Sequence, residues 1–184
     1  MRAVFFDRDG TLMEDAHYCG DPALVRVFPG VPEALGRLKR AGYAIVVVSN
    51  QSGIGRGIIT DAQYQAVHAE FLRQIGGGLV DASYYCPDAP GTASACRKPE
   101  PGMVLRAAAE HGIELEASYF VGDREADVEC GRRAGTRTIL VRTGYGAEQS
   151  CGADYICADA VEAVSTVLTI DSFPSPRSGG TLGP

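Results

Sequence analysis

Apolar residues fall along this chain in short runs, separated by longer segments whose apolar positions recur with a helical period. The first run, Arg2-Ala3-Val4-Phe5-Phe6, is too short for a helix and too apolar for a loop, and reads as a central strand of a parallel sheet. Residues 43–48 form a second buried run that ends at Ser49-Asn50-Gln51. Further strands are predicted over 82–86, 119–122 and 136–141, with a short sixth at Tyr155-Ile156. Between them lie the helical segments. Pro32 suits the first turn of a helix that reaches about residue 41, with Ala34, Leu35, Leu38 and Ala41 on one face and Gly42 as its stop. Thr60 caps a helix to about residue 75, ended by Gly76-Gly77-Gly78, and Pro101 opens one to about 111 before Gly112. Two more cover about 125–134 and 160–169. Strands alternating with helices at this interval predict right-handed βαβ units and an α/β fold with a doubly wound parallel sheet.

The remaining segments are polar or rich in turn formers. Residues 13–29 read as a loop or small flap over the carboxyl end of the first strand, 53–57 as a flexible substrate-entry loop, and 87–100 as a long loop. At 184 residues the chain predicts one domain over 1–170, followed by a flexible tail over 171–184 rich in Ser, Pro and Gly. A net charge of −6 argues against a nucleic-acid-binding surface and favours a cytosolic small-molecule protein. Met1-Arg2 leads straight into a strand with no secretory signal, and the run 43–48 is too short to span a bilayer, so a cytoplasmic location and no membrane partner are expected. The six cysteines are then expected to be free thiols, and the protein a monomer.

Every polar cluster follows a strand, so all of them gather at one edge of the sheet, where open α/β sheets place their chemistry. Asp7 and Asp9 follow the first strand, Ser49 and Asn50 the second, and Asp123 the fourth, with Asp127 one helical turn later. Lys98 joins them from the loop before the helix at Pro101. Asp7 and Asp9 stand two residues apart and can face one point, where a hard divalent cation such as Mg²⁺ would relieve their repulsion. One such carboxylate can attack an electrophile while the other moves protons. An N-capping Asp and a turn Asp-Gly is the plainer alternative. Ser49-Asn50 equally suits a strand end, and Asp127 equally suits capping its helix or orienting Lys98. Together, three carboxylates, a hydroxyl and a lysine balance as a Mg²⁺ and phosphate site.

Asp7-x-Asp9-Gly10-Thr11, Ser49-Asn50, Lys98 and Gly122-Asp123-x-x-x-Asp127 resemble, in order, the four motifs of the haloacid dehalogenase superfamily of phosphohydrolases. The longer blocks, residues 49–57 and Cys96-Arg97-Lys98-Pro99-x-Pro101-Gly102-Met103, resemble the branch holding heptose bisphosphate phosphatases and histidinol-phosphate phosphatases. The resemblance covers roughly residues 1–170 and implies a Rossmann-like core without a large cap. It implies Asp7 as nucleophile, Asp9 as acid and base, and Ser49 and Lys98 as holders of the phosphoryl oxygens. Mg²⁺ would be bound by Asp7, Asp123 and the carbonyl of Asp9. Substrate contacts would come from Asp15, Ala16, His17, Tyr18, Asn50, Gln51, Ser52 and Arg97, and from Arg124, which stands where many relatives have Lys.

The expected substrate is a phosphorylated sugar, foremost a heptose 1,7-bisphosphate losing its 7-phosphate through an aspartyl-phosphate. Histidinol phosphate is the nearest competitor. A DNA 3′-phosphatase lacks the basic face it needs here, and an inactive phosphometabolite-binding scaffold is disfavoured because Asp7, Asp9, Lys98 and Asp123 are all present. One departure from the branch stands out. Its members often carry a structural zinc site of Cys-x-His and Cys-x-Cys, whereas the matching positions here are Cys86-Pro87-Asp88 and Ser94-Ala95-Cys96. Cys86, Asp88 and Cys96 leave only a degenerate zinc site, and the loop is expected to persist without metal.

Overall fold

A computed structural model describes residues 1–172. Six parallel strands form one sheet in the order β3-β2-β1-β4-β5-β6. They are β1 (Ala3–Phe6), β2 (Ala44–Asn50), β3 (Ala82–Cys86), β4 (Tyr119–Gly122), β5 (Arg137–Val141) and β6 (Tyr155–Cys157). The helices are α1 (Val31–Arg40), α2 (Ser52–Gly55), α3 (Asp61–Ile75), α4 (Gly102–His111), α5 (Glu125–Ala134) and α6 (Ala160–Ser172). The chain thus builds outward from β1 in both directions, and the β1/β4 boundary is where the strand order reverses.

Both faces of the central strands are covered, which is why β1, the body of β2 and β4 are buried along their length rather than alternating, while the edge strands β3 and β6 are only partly buried. Val4, Phe6, Ile45, Val47, Val121 and Ile139 pack against α1, α3 and α6. Ala3, Phe5, Val46, Val48 and Phe120 face the opposite way, against α4 and α5. Thr60 accepts from Gln63 N while Gln63 accepts from Thr60 N, so α3 starts on a reciprocal capping box.

The elements follow the apolar pattern, with three differences. Residues 52–55 form the single turn α2 instead of a flexible loop: Gly53 is buried against Tyr18, and Gly55 N donates to Pro87 O at 2.9 Å. The glycines there permit close packing between the flap and the loop after β3. Helix α6 runs on to Ser172, and Asp171 accepts from Arg2, Tyr43 and Tyr119, so the fold extends past residue 170. The rest of the expected tail, 173–184, lies outside the described residues. Lastly, Cys86 and Cys96 are joined in a disulfide with their Cα atoms 5.6 Å apart, which corrects the expectation of six free thiols. Register explains it: β3 delivers Cys86 to the sheet edge and the 87–100 loop folds back over it, inside bonding range. Among the described residues, no helix is long and apolar enough to cross a membrane.

Candidate active site

The carboxyl ends of β1, β2 and β4 converge on one cavity of about 290 Å³, lined among others by Asp7, Asp9, Ser49, Asn50, Lys98 and Asp127. Its floor is a buried charge cluster. Lys98 is 4% exposed, and its Nζ donates to Asp7 Oδ1 at 2.5 Å and to Val48 O at 2.9 Å and pairs with Asp127 Oδ1 at 2.7 Å. Asn50 fixes the Lys98 backbone from both sides, accepting its N–H at 3.0 Å and donating to its carbonyl at 3.1 Å. Burial works against the Lys98 ammonium, but Asp127 and Asp7 outweigh it and hold its pKa above the ordinary value. The Asp7 carboxyl is pushed well up by burial, with Lys98 opposing and Asp127, Asp123 and Asp9 adding to the rise.

Asp123 stands beside this pair at the end of β4. Asp7, Asp123 and Asp127 present carboxylate oxygens within 4.8 Å of one another. Asp123 Oδ2 accepts from Tyr145 N at 2.8 Å, while its Oδ1 is buried with no hydrogen-bond partner among the described residues. Burial, then Asp127, raises the Asp123 carboxyl to about 6. Gly10, at φ 84°, lets the chain pass directly over it, since a Cβ there would meet Asp123 Oδ2 at 2.4 Å. Asp127 does two other jobs: its Oδ2 accepts from Arg124 N at 3.0 Å, capping α5, and its Oδ1 holds Lys98. With Asp127 committed to its helix and to Lys98, Asp7 and the buried Asp123 beside it remain as a hard-oxygen donor set with an orphaned oxygen that fits Mg²⁺.

Asp9 lies higher in the cavity. Gln51 Nε2 donates to its Oδ2 at 2.8 Å and to Ser49 Oγ at 2.7 Å, and Ser49 Oγ lies 3.4 Å from the same carboxylate oxygen. The flap forms the mouth. His17 and Tyr18 both take left-handed backbone conformations, φ 45° and 51°, and Asp15 Oδ1 accepts from His17 N at 2.9 Å. Asp15 pairs with Arg124 at 3.2 Å, and Arg124 stacks 3.9 Å from the centroid of the Tyr145 ring. Tyr145 Oη and His17 Nδ1 lie 3.3 Å apart and close the ring of contacts. Arg97, held by Asp88 O at 3.1 Å, completes the wall; burial, then the nearby Arg56 and Arg124, lowers its pKa from the ordinary value.

Of the residues singled out in the sequence, Asp7, Asp9, Asp15, His17, Tyr18, Ser49, Asn50, Gln51, Ser52, Arg97, Lys98, Arg124 and Asp127 line this cavity. Two do not: Ala16 packs against the apolar core under the flap, and Asp123 is fully buried beside Asp7 and Asp127. Tyr145, Cys19 and Ala126 also line it and were missed. Tyr145 sits in a loop after β5 with no motif of its own; its place after a strand of the same edge was the available signal. At the degenerate zinc site, Cys86, Asp88 and Cys96 bring their ligand atoms within 4.8 Å of one another. Asp88 Oδ2 is 3.6 Å from each sulfur and Ser94 Oγ 3.4 and 3.2 Å, but a disulfide offers no thiolate to the metal.

Comparison with known proteins agrees with this fold. The HAD-hydrolase-like family matches residues 95–164. The D-glycero-D-manno-heptose-1,7-bisphosphate 7-phosphatase of Thermosynechococcus vestitus is 35% identical over 91% of this chain and 95% of its own. The D-glycero-beta-D-manno-heptose-1,7-bisphosphate 7-phosphatase of Salmonella typhi is 37% identical over 90% of this chain and 94% of its own. The crystal structure of the D,D-heptose 1,7-bisphosphate phosphatase from B. bronchiseptica, complexed with magnesium and phosphate, superposes with a TM-score of 0.85 at 32% identity. It covers 92% of this chain and 99% of that one.

Proposed function

The chain belongs to the HAD-like phosphatase family, and from that premise we propose that it is a Mg²⁺-dependent phosphatase removing the 7-phosphate of a heptose 1,7-bisphosphate. The observation that carries the reading is the buried Lys98–Asp7–Asp127 cluster beside the orphaned Asp123 oxygen, at the strand-order reversal of a capless α/β sheet. Asp7 attacks phosphorus, the bond to the sugar oxygen breaks, and Asp9 gives that oxygen its proton. Water then attacks the aspartyl-phosphate, Asp9 takes its proton, and the Asp7 carboxylate is released with inorganic phosphate. Lys98 and Ser49 hold the phosphoryl oxygens, and Asp127 keeps Lys98 aimed. Asp7, Asp123 and the Asp9 carbonyl would hold Mg²⁺, which supplies charge neutralisation for the transferring group.

The mouth supports a second phosphate. Arg97, Arg124 and Arg56 stand close enough to disfavour the charge at Arg97, and among the described residues only Arg124 of the three has a carboxylate partner. An anion between them relieves that repulsion, whereas the cationic amine of histidinol phosphate would add to it. The test is phosphate release from heptose 1,7-bisphosphate and histidinol phosphate side by side, with Asp7→Asn as the blank. A kcat/KM ratio above tenfold for the bisphosphate, about 1.4 kcal/mol in transition-state binding, supports the reading. The reverse ratio moves the substrate to histidinol phosphate.

A further inference from the structure

Arg8, between the two motif carboxylates, is 1% exposed. Its position in the strand alternation explains where it goes. Val4 and Phe6 face α1, α3 and α6, and Arg8 continues that parity, while Asp7 follows Phe5 toward the face where Lys98 lies. The Arg8 guanidinium therefore enters the layer beneath the catalytic loop and turns back onto Asp9. Nε lies 3.3 and 3.2 Å from Asp9 Oδ1 and Oδ2, and Nη2 lies 3.1 and 3.0 Å from the same two oxygens. Asp9 is the one carboxylate in ion-pairing range of Arg8 among the described residues.

The support beneath the guanidinium comes from α3. Arg8 Cζ lies 5.1 Å from the centroid of the Tyr64 ring, which stacks at 5.7 Å on His68, itself 5.7 Å from Phe71. All three rings are buried, so neither the stack nor the arginine on it has room to move. A buried guanidinium is costly, and here it has a single ionic partner and an Nη1 with no hydrogen-bond partner among the described residues. Packing alone would be met by a methionine of similar length. A planar fork aimed at one carboxylate instead fixes both the position and the rotation of that carboxylate. Gln51 Nε2 adds a third donor on Asp9 Oδ2 from the β2 side, and Ser49 Oγ approaches the same oxygen. The carboxylate is thus held from below by α3 through Arg8 and from the side by β2 through Gln51.

We infer that Arg8 is the positioning residue for Asp9, holding its carboxylate where it accepts the proton of the water that hydrolyses the phosphorylated Asp7. The inference rests on the acid–base reading of Asp9 given above. In that step the water oxygen bonds to phosphorus, the bond from phosphorus to the Asp7 oxygen breaks with its electron pair returning to the carboxylate, and the proton goes to Asp9. Loss of the fork leaves Asp9 present but held at Oδ2 alone, by Gln51 and Ser49, so its carboxylate can turn about that oxygen and the second step slows most.

p-Nitrophenyl phosphate isolates that step, because its leaving group departs without an acid. In rapid-mixing measurements with Mg²⁺, Arg8→Met is expected to lower steady-state turnover at least tenfold. The p-nitrophenolate burst should rise toward one equivalent per chain as the phosphorylated enzyme accumulates. Asp9→Asn should show the same signature, and Arg8→Lys, which keeps the charge but not the fork, should recover at least threefold of the lost rate. Turnover within twofold of wild type in Arg8→Met, or a loss of rate with no accumulation, overturns the inference while leaving Asp9's role intact. Should Arg8→Met not fold, accumulation in Arg8→Lys supports the inference and wild-type kinetics in it overturns it. If Asp9→Asn itself fails to accumulate the intermediate, the role of Asp9 falls and that of Arg8 with it.

Discussion

Lys98 carries the charge balance at the floor of the site, because it pairs with both Asp7 and Asp127 inside a cluster of three buried carboxylates. Replacing it with Ala leaves Asp7 and Asp127 facing each other without a counter-charge, and removes a donor to the transferring phosphoryl group. Phosphate release by Lys98→Ala is expected to fall on the order of 10³-fold in kcat. Stability should drop by about 3 kcal/mol, read by urea unfolding, since one member of a buried ionic cluster is gone. His68 makes a separate prediction. Burial, then the nearby Arg8, holds its pKa down to about 4 against the ordinary 6.5, so the folded protein keeps the ring neutral. The unfolded chain takes up the proton first as pH falls. The His68 contribution is therefore full above about pH 6.5 and is lost progressively toward pH 4, by roughly 2 to 3 kcal/mol. His68→Leu should remove that part of the loss in unfolding free energy between pH 7 and pH 4.5; an unchanged difference would place the acid sensitivity elsewhere.

The sheet is closed at its amino-terminal edge by α6, and the closure depends on one side chain. Asp171 accepts from Arg2 Nη1 at 2.5 Å, from Tyr119 Oη at 3.0 Å and from Tyr43 Oη, tying the last helix to β1, β4 and the start of β2. Tyr43 is buried and its hydroxyl loses its acceptor in Asp171→Ala, while Tyr119 Oη keeps only the Arg137 Nη1 donor at 2.8 Å, so the change should cost on the order of 2 kcal/mol in urea unfolding. Turnover should be unchanged, because this network lies at the opposite end of the strands from Asp7. Elements of this kind divide into those legible in the sequence and those set by tertiary contact. The central strands were legible because burial on both faces makes them continuous apolar runs, and α3 because Thr60 and Gln63 form a cap within the local sequence. The turn α2 was not, since its helical state depends on Tyr18 and Pro87, residues distant in the chain. The Cys86–Cys96 bond was not, because it depends on how a fourteen-residue loop returns to β3. Asp7, Asp9, Ser49 and Asp123 were visible as polar residues following apolar strands, and Lys98 through the Cys96-Arg97-Lys98-Pro99 block in the loop before α4. Arg8 was hidden in the same motif, because nothing local says that its guanidinium folds inward.

At the scale of the molecule, a chain of net charge −6 concentrates buried negative charge at the centre of its sheet and cationic side chains at the mouth above it. The two layers ask for different ligands: a metal cation below and phosphate oxygens above. β1 and β4 are paired in register and bring Asp7 and Asp123 together, so the cost of gathering these carboxylates is met in the folded protein before any ligand arrives. A cation that binds only the folded state must then stabilise it, by about 2.7 kcal/mol at a hundredfold excess over its dissociation constant. For a domain of this size that corresponds to a rise in melting temperature of roughly 5 to 10 °C. Mg²⁺ added to chelator-treated protein should give this shift in a thermal-unfolding assay without substrate, alongside return of phosphatase activity. Asp123→Asn should lose both the shift and the activity, since it removes the anionic charge of the group whose Oδ1 has no protein partner. A full shift in Asp123→Asn would move the metal away from the Asp7–Asp123 pair, and an absent shift in wild type would remove it from the site. Ca²⁺ should give a shift but little activity, because its larger, looser coordination shell does not hold the phosphoryl group in line with Asp7.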